Sequence, residues 1–461
     1  MTNDWWLPRR RSSLFLSLLV SLILLPRPTL TTRMHTHTPE LLPILQGAFP
    51  AVTGFSTVGS VVQANAEGHL VKLETTVAVN DDHDHSHPEN VFIKQVSADK
   101  YSEKSWPDFR RTLMYLRTEI RFYKDVLPKL QEHGFDAVPT IFSAEYHLDG
   151  LITEEEKATD QIYTCPNLPT AMEEHGGSLL MEAIGEPFYQ DSPISISEAK
   201  LCLEAVAKLH AAAWEQTDLL QLCEDRLSRG SYHLKTRNPK ELEGMEQAWE
   251  SFRSNFQSMD PELFQRAGNL GKDIKELAEY ISDEVSPGPN DPYATLSHGD
   301  FKSMNVFLPK QSSSATGNND RGALLVDFAS AGVGLGMSDV AMHISHAVTA
   351  ANLANGGEQE LFDYYLETLN SCLPESKKYP KDVALRHYRL AVADYFRFFL
   401  GRFWKSATPS SFDKKKDSKN TALINRDAAA ALAFLNRVIG HVREIQKERA
   451  APASQLLHSK A

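Results

Sequence analysis

The sequence predicts an α+β protein in which a small antiparallel-sheet lobe precedes a larger, mainly helical one. Three observations point that way. Residues 53–96 are rich in β-branched side chains that partly alternate with polar ones. One strong helical pattern follows, with Leu113, Leu116, Ile120, Tyr123 and Leu127 stepping by three and four. From residue 195 onward amphipathic helical stretches dominate. The divisions fall at 1–38 for a leader, 39–185 for the small lobe, 186–448 for the large lobe and 449–461 for a tail.

Val58, Val61 and Val62 and the run from His69 to Val79 read as the first strands. A polar loop over residues 80–90 then leads to the short strand Val91-Phe-Ile-Lys-Gln-Val96. His83, His85 and His87 lie in that loop without evident partner ligands, so a solvated hairpin loop is expected rather than a metal site. Ser105 with Asp108 makes a capping-box start for the strong helix, and Pro107 suits its first turn. Glu119 borders the apolar stripe of that helix and needs a partner there. Strand-like pieces follow at 138–144 and 179–183. A second capping box, Ser195 with Glu198, opens a helix over 199–214. Further helical stretches read at 242–256, 262–285, 339–353, 358–369, 382–403 and 422–442, and the polar runs 311–321 and 410–420 read as exposed loops.

Composition removes several function classes. A hydrophobic fraction of 42% and a charged fraction of 23% over 461 residues are those of an ordinary globular protein with room for two sizeable cores. The formal net charge of -12 argues against a nucleic-acid partner, because phosphate backbones reward clustered Lys and Arg. Cys165, Cys202, Cys223 and Cys372 are scattered, with neither a metal-ligand spacing nor a disulfide framework, and read as reduced, mostly buried thiols.

The leader differs from the rest. Arg9, Arg10 and Arg11 precede an apolar run over residues 14–25, which resembles the apolar core of a signal peptide and is short for a membrane span. Membrane contact is therefore expected, if anywhere, through residues 14–25. No N-x-S/T glycosylation sequence occurs, so a cytoplasmic protein is favoured, with organelle or secretory targeting by the leader as the alternative.

The chemistry concentrates in one segment, Leu296-Ser-His-Gly-Asp-Phe-Lys-Ser-Met-Asn-Val-Phe-Leu308. It places Asp300 five residues before Asn305 and then runs into an apolar strand. About 20 residues later Leu324-Leu-Val-Asp-Phe-Ala329 ends a second apolar strand on Asp327. Phosphoryl transfer explains the trio. A hydroxyl nucleophile needs a carboxylate, Asp300, to orient it and take its proton. Mg²⁺ on a triphosphate takes hard oxygen ligands, which Asn305 and Asp327 supply.

At these residues the chain resembles the aminoglycoside phosphotransferase and choline kinase superfamily, particularly its ecdysteroid-kinase-like branch. The pattern H-G-D-x-x-x-x-N falls on His298, Gly299, Asp300 and Asn305, and the strand end on Val326-Asp327-Phe328. Asp339 matches a further aspartate that opens the next helix. The resemblance covers roughly residues 45–445. It implies a protein-kinase-like bilobal fold and an ATP- and Mg-dependent enzyme that phosphorylates a hydroxyl of a small molecule. It implies that Lys94 holds the ATP phosphates, that Glu119 pairs with Lys94, and that the strand through Met181 to Ala183 lies beside the adenine. His298 and Asp339 are expected to shape and brace the catalytic loop, and His210 to pack at a helix end.

One departure is the missing G-x-G-x-x-G loop. Asn65-Ala-Glu-Gly-His69 is its best substitute, with Gly54 and Gly59 the competing glycines. That departure supports the alternative, a catalytically inactive kinase-fold binding protein, while Asp300, Asn305 and Asp327 speak against it. Other enzyme motifs fail: residues 268–272 lack P-loop spacing, and there is no G-x-S-x-G or H-E-x-x-H. No A-P-E segment follows Asp327, which argues against a protein kinase.

Overall fold

The computed structural model describes residues 41–62, 65–75, 88–158, 160, 162, 164–229, 232–236, 238–310 and 321–450. The leader over 1–38, the loop histidines His83, His85 and His87, residues 311–320 and the tail from 451 lie outside the described residues.

A short helix, α1 (Leu41–Ala48), leads into strands β1 (Val52–Val62), β2 (Glu67–Thr75) and β3 (Asn90–Ser97). After helix α2 (Trp106–Arg121) come β4 (Ile141–His147) and β5 (Gly176–Glu182). The five strands form one antiparallel sheet in the order β1-β2-β3-β5-β4. Alternation along β3 decides what each face meets. Val91 and Ile93 join Val71, Leu180 and the α1 residues Leu41 and Leu45 in one small core. Phe92 and Val96 face the other way and pack with Leu116 and Ile120 of α2. Lys94 shares that second face, opposite Leu179 of β5.

Helix α2 differs from the amphipathic helix that its sequence predicts. Thirteen of its residues are buried, including Arg110, Arg117, Arg121 and Glu119, so it has almost no solvent face. The long connection between β4 and β5 covers its outer side. Arg110 holds Glu156 at 2.8 Å and the carbonyl oxygen of Lys157 at 2.9 Å. Arg117 donates to the carbonyls of Thr153 and Glu156, and Arg121 to the Glu154 carboxylate. Three charges that a solvated face would carry instead fasten a loop. The capping box at Ser105 is also absent: its hydroxyl donates to the Asp108 carboxylate at 2.9 Å rather than receiving a backbone N–H. Beyond Arg121 the helix widens into a π turn at Phe122–Val126 before continuing as Leu127–Glu132.

The large lobe opens with α3 (Ile196–Ala213), whose start is the reciprocal Ser195–Glu198 capping box read from the sequence. It continues through α4 (Met245–Phe256), α5 (Leu270–Glu284), α6 (Gly336–Ala347), α7 (Gly357–Cys372), α8 (Lys381–Arg402) and α9 (Ala428–Ala450). Helix α6 is buried along its whole length and forms the axis of this lobe. Several boundaries move. The 262–285 stretch breaks at Gly268, which adopts φ +54, into Pro261–Ala267 and α5. The expected 138–144 strand lies at Ile141–His147. Residues 410–420 are not all exposed loop, because Pro409–Asp413 is a capped helical turn that buries Phe412. Of the cysteines, Cys202 and Cys223 are buried while Cys165 and Cys372 are exposed, and all are free. Among the described residues no helix is long and apolar enough to cross a membrane.

Short strands carry the site. Strand β6 (Phe188–Tyr189) pairs with β8 (Val306–Pro309), and β8 pairs with β9 (Leu324–Leu325). Strand β7 (Thr295–Ser297) pairs with β10 (Gly332–Gly334). Helix α1 anchors the far face of the sheet through Leu45, which is fully buried. Leu45→Ala is expected to lower unfolding stability by about 3 kcal/mol, as buried Leu truncations do. Chemical denaturation checks this, and a change within error of zero would show that α1 does not hold the sheet.

Candidate active site

The loop between β7 and β8 carries Asp300 and Asn305, and its shape is dictated by a glycine and a buried carboxylate. Gly299 sits at φ +78, and a Cβ there would meet the Ser330 carbonyl oxygen at 2.1 Å. Only glycine fits that position. Asp339, in the first turn of α6, accepts the His298 N–H at 2.7 Å through one oxygen and the Gly299 N–H at 2.9 Å through the other. Its Oδ2 also lies 3.1 Å from Nε2 of His210, whose Nδ1 meets the Tyr365 hydroxyl at 2.7 Å. Burial acts to raise the pKa of Asp339, but the bond and charge of His210 outweigh it and hold the group below its ordinary value. Asp339 thus braces the loop through backbone bonds, as the family resemblance implies. His298 is buried with Nε2 3.0 Å from the Val326 carbonyl oxygen, and burial keeps its pKa low. It ties the loop to the strand that delivers Asp327.

Three side chains distant in sequence converge on one atom. Lys94 Nζ lies 2.7 Å from Glu119 Oε2 and 3.0 Å from Asp327 Oδ1. All three side chains are buried. Burial would lower the Lys94 pKa, but Asp327 and Glu119 raise it above its ordinary value. For Asp327 burial is outweighed by Lys94 and Lys302, which hold its carboxylate low. Glu119 is shifted upward because its burial exceeds what Lys94 returns, and its Oε1 has no hydrogen-bond partner among the described residues. Asp327 itself adopts φ +68, an uncommon and costly conformation for a non-glycine residue. Phe328, next in the chain, stacks on Phe122 of the π turn at 3.7 Å between centroids and leans on His298 at 4.6 Å. The π turn also brings Tyr123 edge-on to the same ring.

Asp300 is joined to this group through Asn305. The Asn305 amide nitrogen donates to the Asp300 carbonyl at 2.9 Å and reaches its Oδ2 at 3.3 Å, which leaves the amide oxygen for other ligands. The Val326 N–H in turn bonds the Asn305 carbonyl at 3.0 Å. The Asp300 side chain is 29% exposed, against 6% for Asp327 and 3% for Glu119, so it is the carboxylate that a second molecule can meet. Burial raises its pKa, opposed by the adjacent Lys302 ammonium. Lys302 forms an ion pair with Asp300 and is itself buried. Sequence reasoning did not single it out, although a lysine two residues after the aspartate was visible in the loop. Tyr365 and the Phe122–Phe328 stack carried no local signal at all. Met181 is buried on the same sheet face as Lys94, paired with Phe92, and Ala183 follows half-buried just past the end of β5. Of the substitute glycine loop, Gly68 is the second residue of β2 and abuts Phe92, where a Cβ would meet the ring at 2.7 Å.

A small antiparallel-sheet lobe with a buried Lys–Glu pair, closed on a helical lobe with an H-G-D-x-x-x-x-N loop, defines a protein-kinase-like fold. The model of the ecdysteroid kinase-like family matches residues 68–378, two thirds of the sequence, and the chain belongs to that family. No curated protein matches. Among solved structures, spectinomycin phosphotransferase APH(9)-Ia is similar at 12% identity, over 88% of this chain and 98% of that one, with a TM-score of 0.40. The aminoglycoside phosphotransferase of Alicyclobacillus acidocaldarius matches at 13% identity, over 85% and 93%, with a TM-score of 0.42. Choline kinase LicA of Streptococcus pneumoniae matches at 9% identity, over 87% and 97%, with a TM-score of 0.38.

The hanging of the loop on Asp339 is directly testable. Asp339→Asn replaces one of two acceptor oxygens with an amide that faces an N–H donor. It is expected to lower stability by about 3 kcal/mol, the scale of a buried charged acceptor lost. Thermal and urea unfolding check it, and near-wild-type stability would mean that the loop is held by something else.

Proposed function

We propose that the protein is an ATP- and Mg-dependent kinase that phosphorylates a hydroxyl group of a small molecule. The observation that carries this reading is the meeting of Lys94, Glu119 and Asp327 within 3.0 Å, next to a partly exposed Asp300. Lys94 offers a fixed cation to phosphate oxygens, and Glu119 keeps it in place. Met181 and Ala183 would border the adenine at the end of β5.

The donor set fits a hard cation that brings its own phosphate ligands. Among the described residues no group of three His, Cys, Asp or Glu side chains could hold a metal alone. One carboxylate and one amide oxygen, Asp327 and Asn305, suit Mg²⁺ shared with phosphates. The ion, when bound, supplies positive charge against the phosphate oxygens. Asp300 orients the acceptor hydroxyl and accepts its proton as the oxygen bonds to the γ-phosphorus. The bond from that phosphorus to the β-phosphate oxygen breaks, and ADP leaves. Lys302 favours the ionised form of Asp300 that this role requires.

Screening the purified protein for ATP consumption against alcohols of different charge tests the reading. Once an acceptor is known, Asp300→Asn should cut turnover by roughly 10²- to 10⁴-fold, the size of a general-base contribution, while nucleotide affinity survives. Asp327→Asn should weaken nucleotide binding and turnover together, since it removes a metal ligand. Near-wild-type turnover in Asp300→Asn would remove Asp300 as the base.

The pH profile gives a separate test. Because burial raises the Asp300 pKa, kcat/KM should fall on the acid side at a pH above that of an ordinary aspartate. Lys302 lowers that pKa, so Lys302→Met should move the acid limb to higher pH. An unmoved limb, or one moved lower, would contradict the pairing.

A further inference from the structure

Beside the catalytic loop, the polar atoms buried without a hydrogen-bond partner among the described residues include Ser303 Oγ, His346 Nδ1, Asn425 Oδ1 and Arg426 Nε, besides both ring nitrogens of His343, which stacks on Phe301. Ser303, His346, Asn425 and Arg426 are 0%, 6%, 5% and 6% exposed, so each of these atoms is desolvated at a cost unless something meets it. The elements that carry them share neighbours. The Leu423–Asn425 turn packs against α6, as does the Ser303–Asn305 turn of the catalytic loop. Gln190 donates to the Met304 carbonyl at 2.8 Å, and two residues on, Ser192 Oγ receives Arg426 Nη2 at 2.7 Å. Burial keeps His346 neutral, and the charges of Lys302 and Arg426 act on it in the same direction.

The guanidinium is the decisive member. Arg426 donates to Ser192 Oγ and to the Lys416 carbonyl at 3.0 Å, both neutral groups. Asp191, Asp417 and Asp427 lie within its field, but none forms an ion pair with it. Asp191 is engaged by Lys419 at 2.8 Å. The Arg426 charge is met at a distance by those three carboxylates, but its Nε has no acceptor among the described residues, and an oxyanion is a strong acceptor for a guanidinium N–H. The other three groups can serve the same ligand. A serine hydroxyl donates, a neutral imidazole donates from either nitrogen, and the oxygen and nitrogen of the Asn425 amide exchange by a flip.

We propose that Ser303, His346, Asn425 and Arg426 form a subsite for an oxyanion, a carboxylate or phosphate carried by the acceptor molecule. This assignment rests on the kinase reading, because Lys302 links the subsite to the base Asp300. The acceptor is then a hydroxyl compound with a negative group, rather than an amino alcohol.

Calorimetric titration of the full chain with sodium sulfate at fixed ionic strength tests the subsite. A saturable heat is expected in the wild type. It should survive Lys94→Met and weaken roughly 10- to 100-fold in Arg426→Gln, the value of a charge-assisted bond. Ser303→Ala, a smaller change, should weaken it less and serves if Arg426→Gln fails to fold. No saturable heat, or one indifferent to both substitutions, overturns the proposal. ATP consumption on matched alcohols with and without a carboxylate or phosphate separates the two readings. Preference for the oxyanion-bearing member is expected. Preference for neutral or amino alcohols overturns the acceptor class and leaves the kinase standing. Sulfate bound through Arg426 with no alcohol consumed leaves an anion site, overturns its assignment to an acceptor, and sinks the kinase.

Discussion

Lys94 is buried at the junction of the two lobes between two carboxylates, and it could not stay there charged without both. Its neighbours come from three places: Glu119 from α2, Asp327 from the end of the β9 region, and the lysine itself from β3. An uncompensated charge at such depth costs several kcal/mol, so the sheet, the helix and the hairpin must arrive together. The burial of α2 follows from this constraint. With Glu119 turned inward, the outer arginines of the helix are free to fasten the β4–β5 connection over it.

A second buried carboxylate does for the loop what Lys94 does for the lobes. Asp339 gives both oxygens to consecutive backbone N–H groups and is itself steadied by His210 and Tyr365. The loop therefore hangs from α6, the most deeply buried helix, rather than from the surface. His298 and Phe328 carry the fixed geometry across to Asp327, whose left-handed backbone is held by packing on both sides. Asp300, the proposed base, is left as the least buried carboxylate of a rigid frame.

The sequence made the pieces legible where local rules decide them. β-Branched alternation placed β3, a capping box placed α3, and the spacing from Asp300 to Asn305 to Asp327 picked out the loop and its returning strand. The role of Asp339 followed from the family resemblance. What was not legible depends on tertiary burial. The helical period of α2 marked one apolar stripe, and nothing local told that Arg110, Arg117 and Arg121 would be covered too. The π turn after Arg121 sets Phe122 and Tyr123 both against Phe328, a residue about two hundred positions away that no local pattern points to. Gly268 broke a continuous amphipathic pattern through a positive φ that the pattern could not reveal. Lys302 was overlooked because a lone lysine reads as solvated until its carboxylate partner is seen.

If the Lys94 junction is built to receive phosphates, binding of nucleotide must depend on it. Calorimetry of the purified protein with ATP in the presence of Mg²⁺ is the most direct measurement. The account predicts a saturable heat that requires the cation and is abolished or greatly weakened in Lys94→Met, with the fold intact by circular dichroism. No heat in the wild type, or an undiminished heat in Lys94→Met, would contradict it.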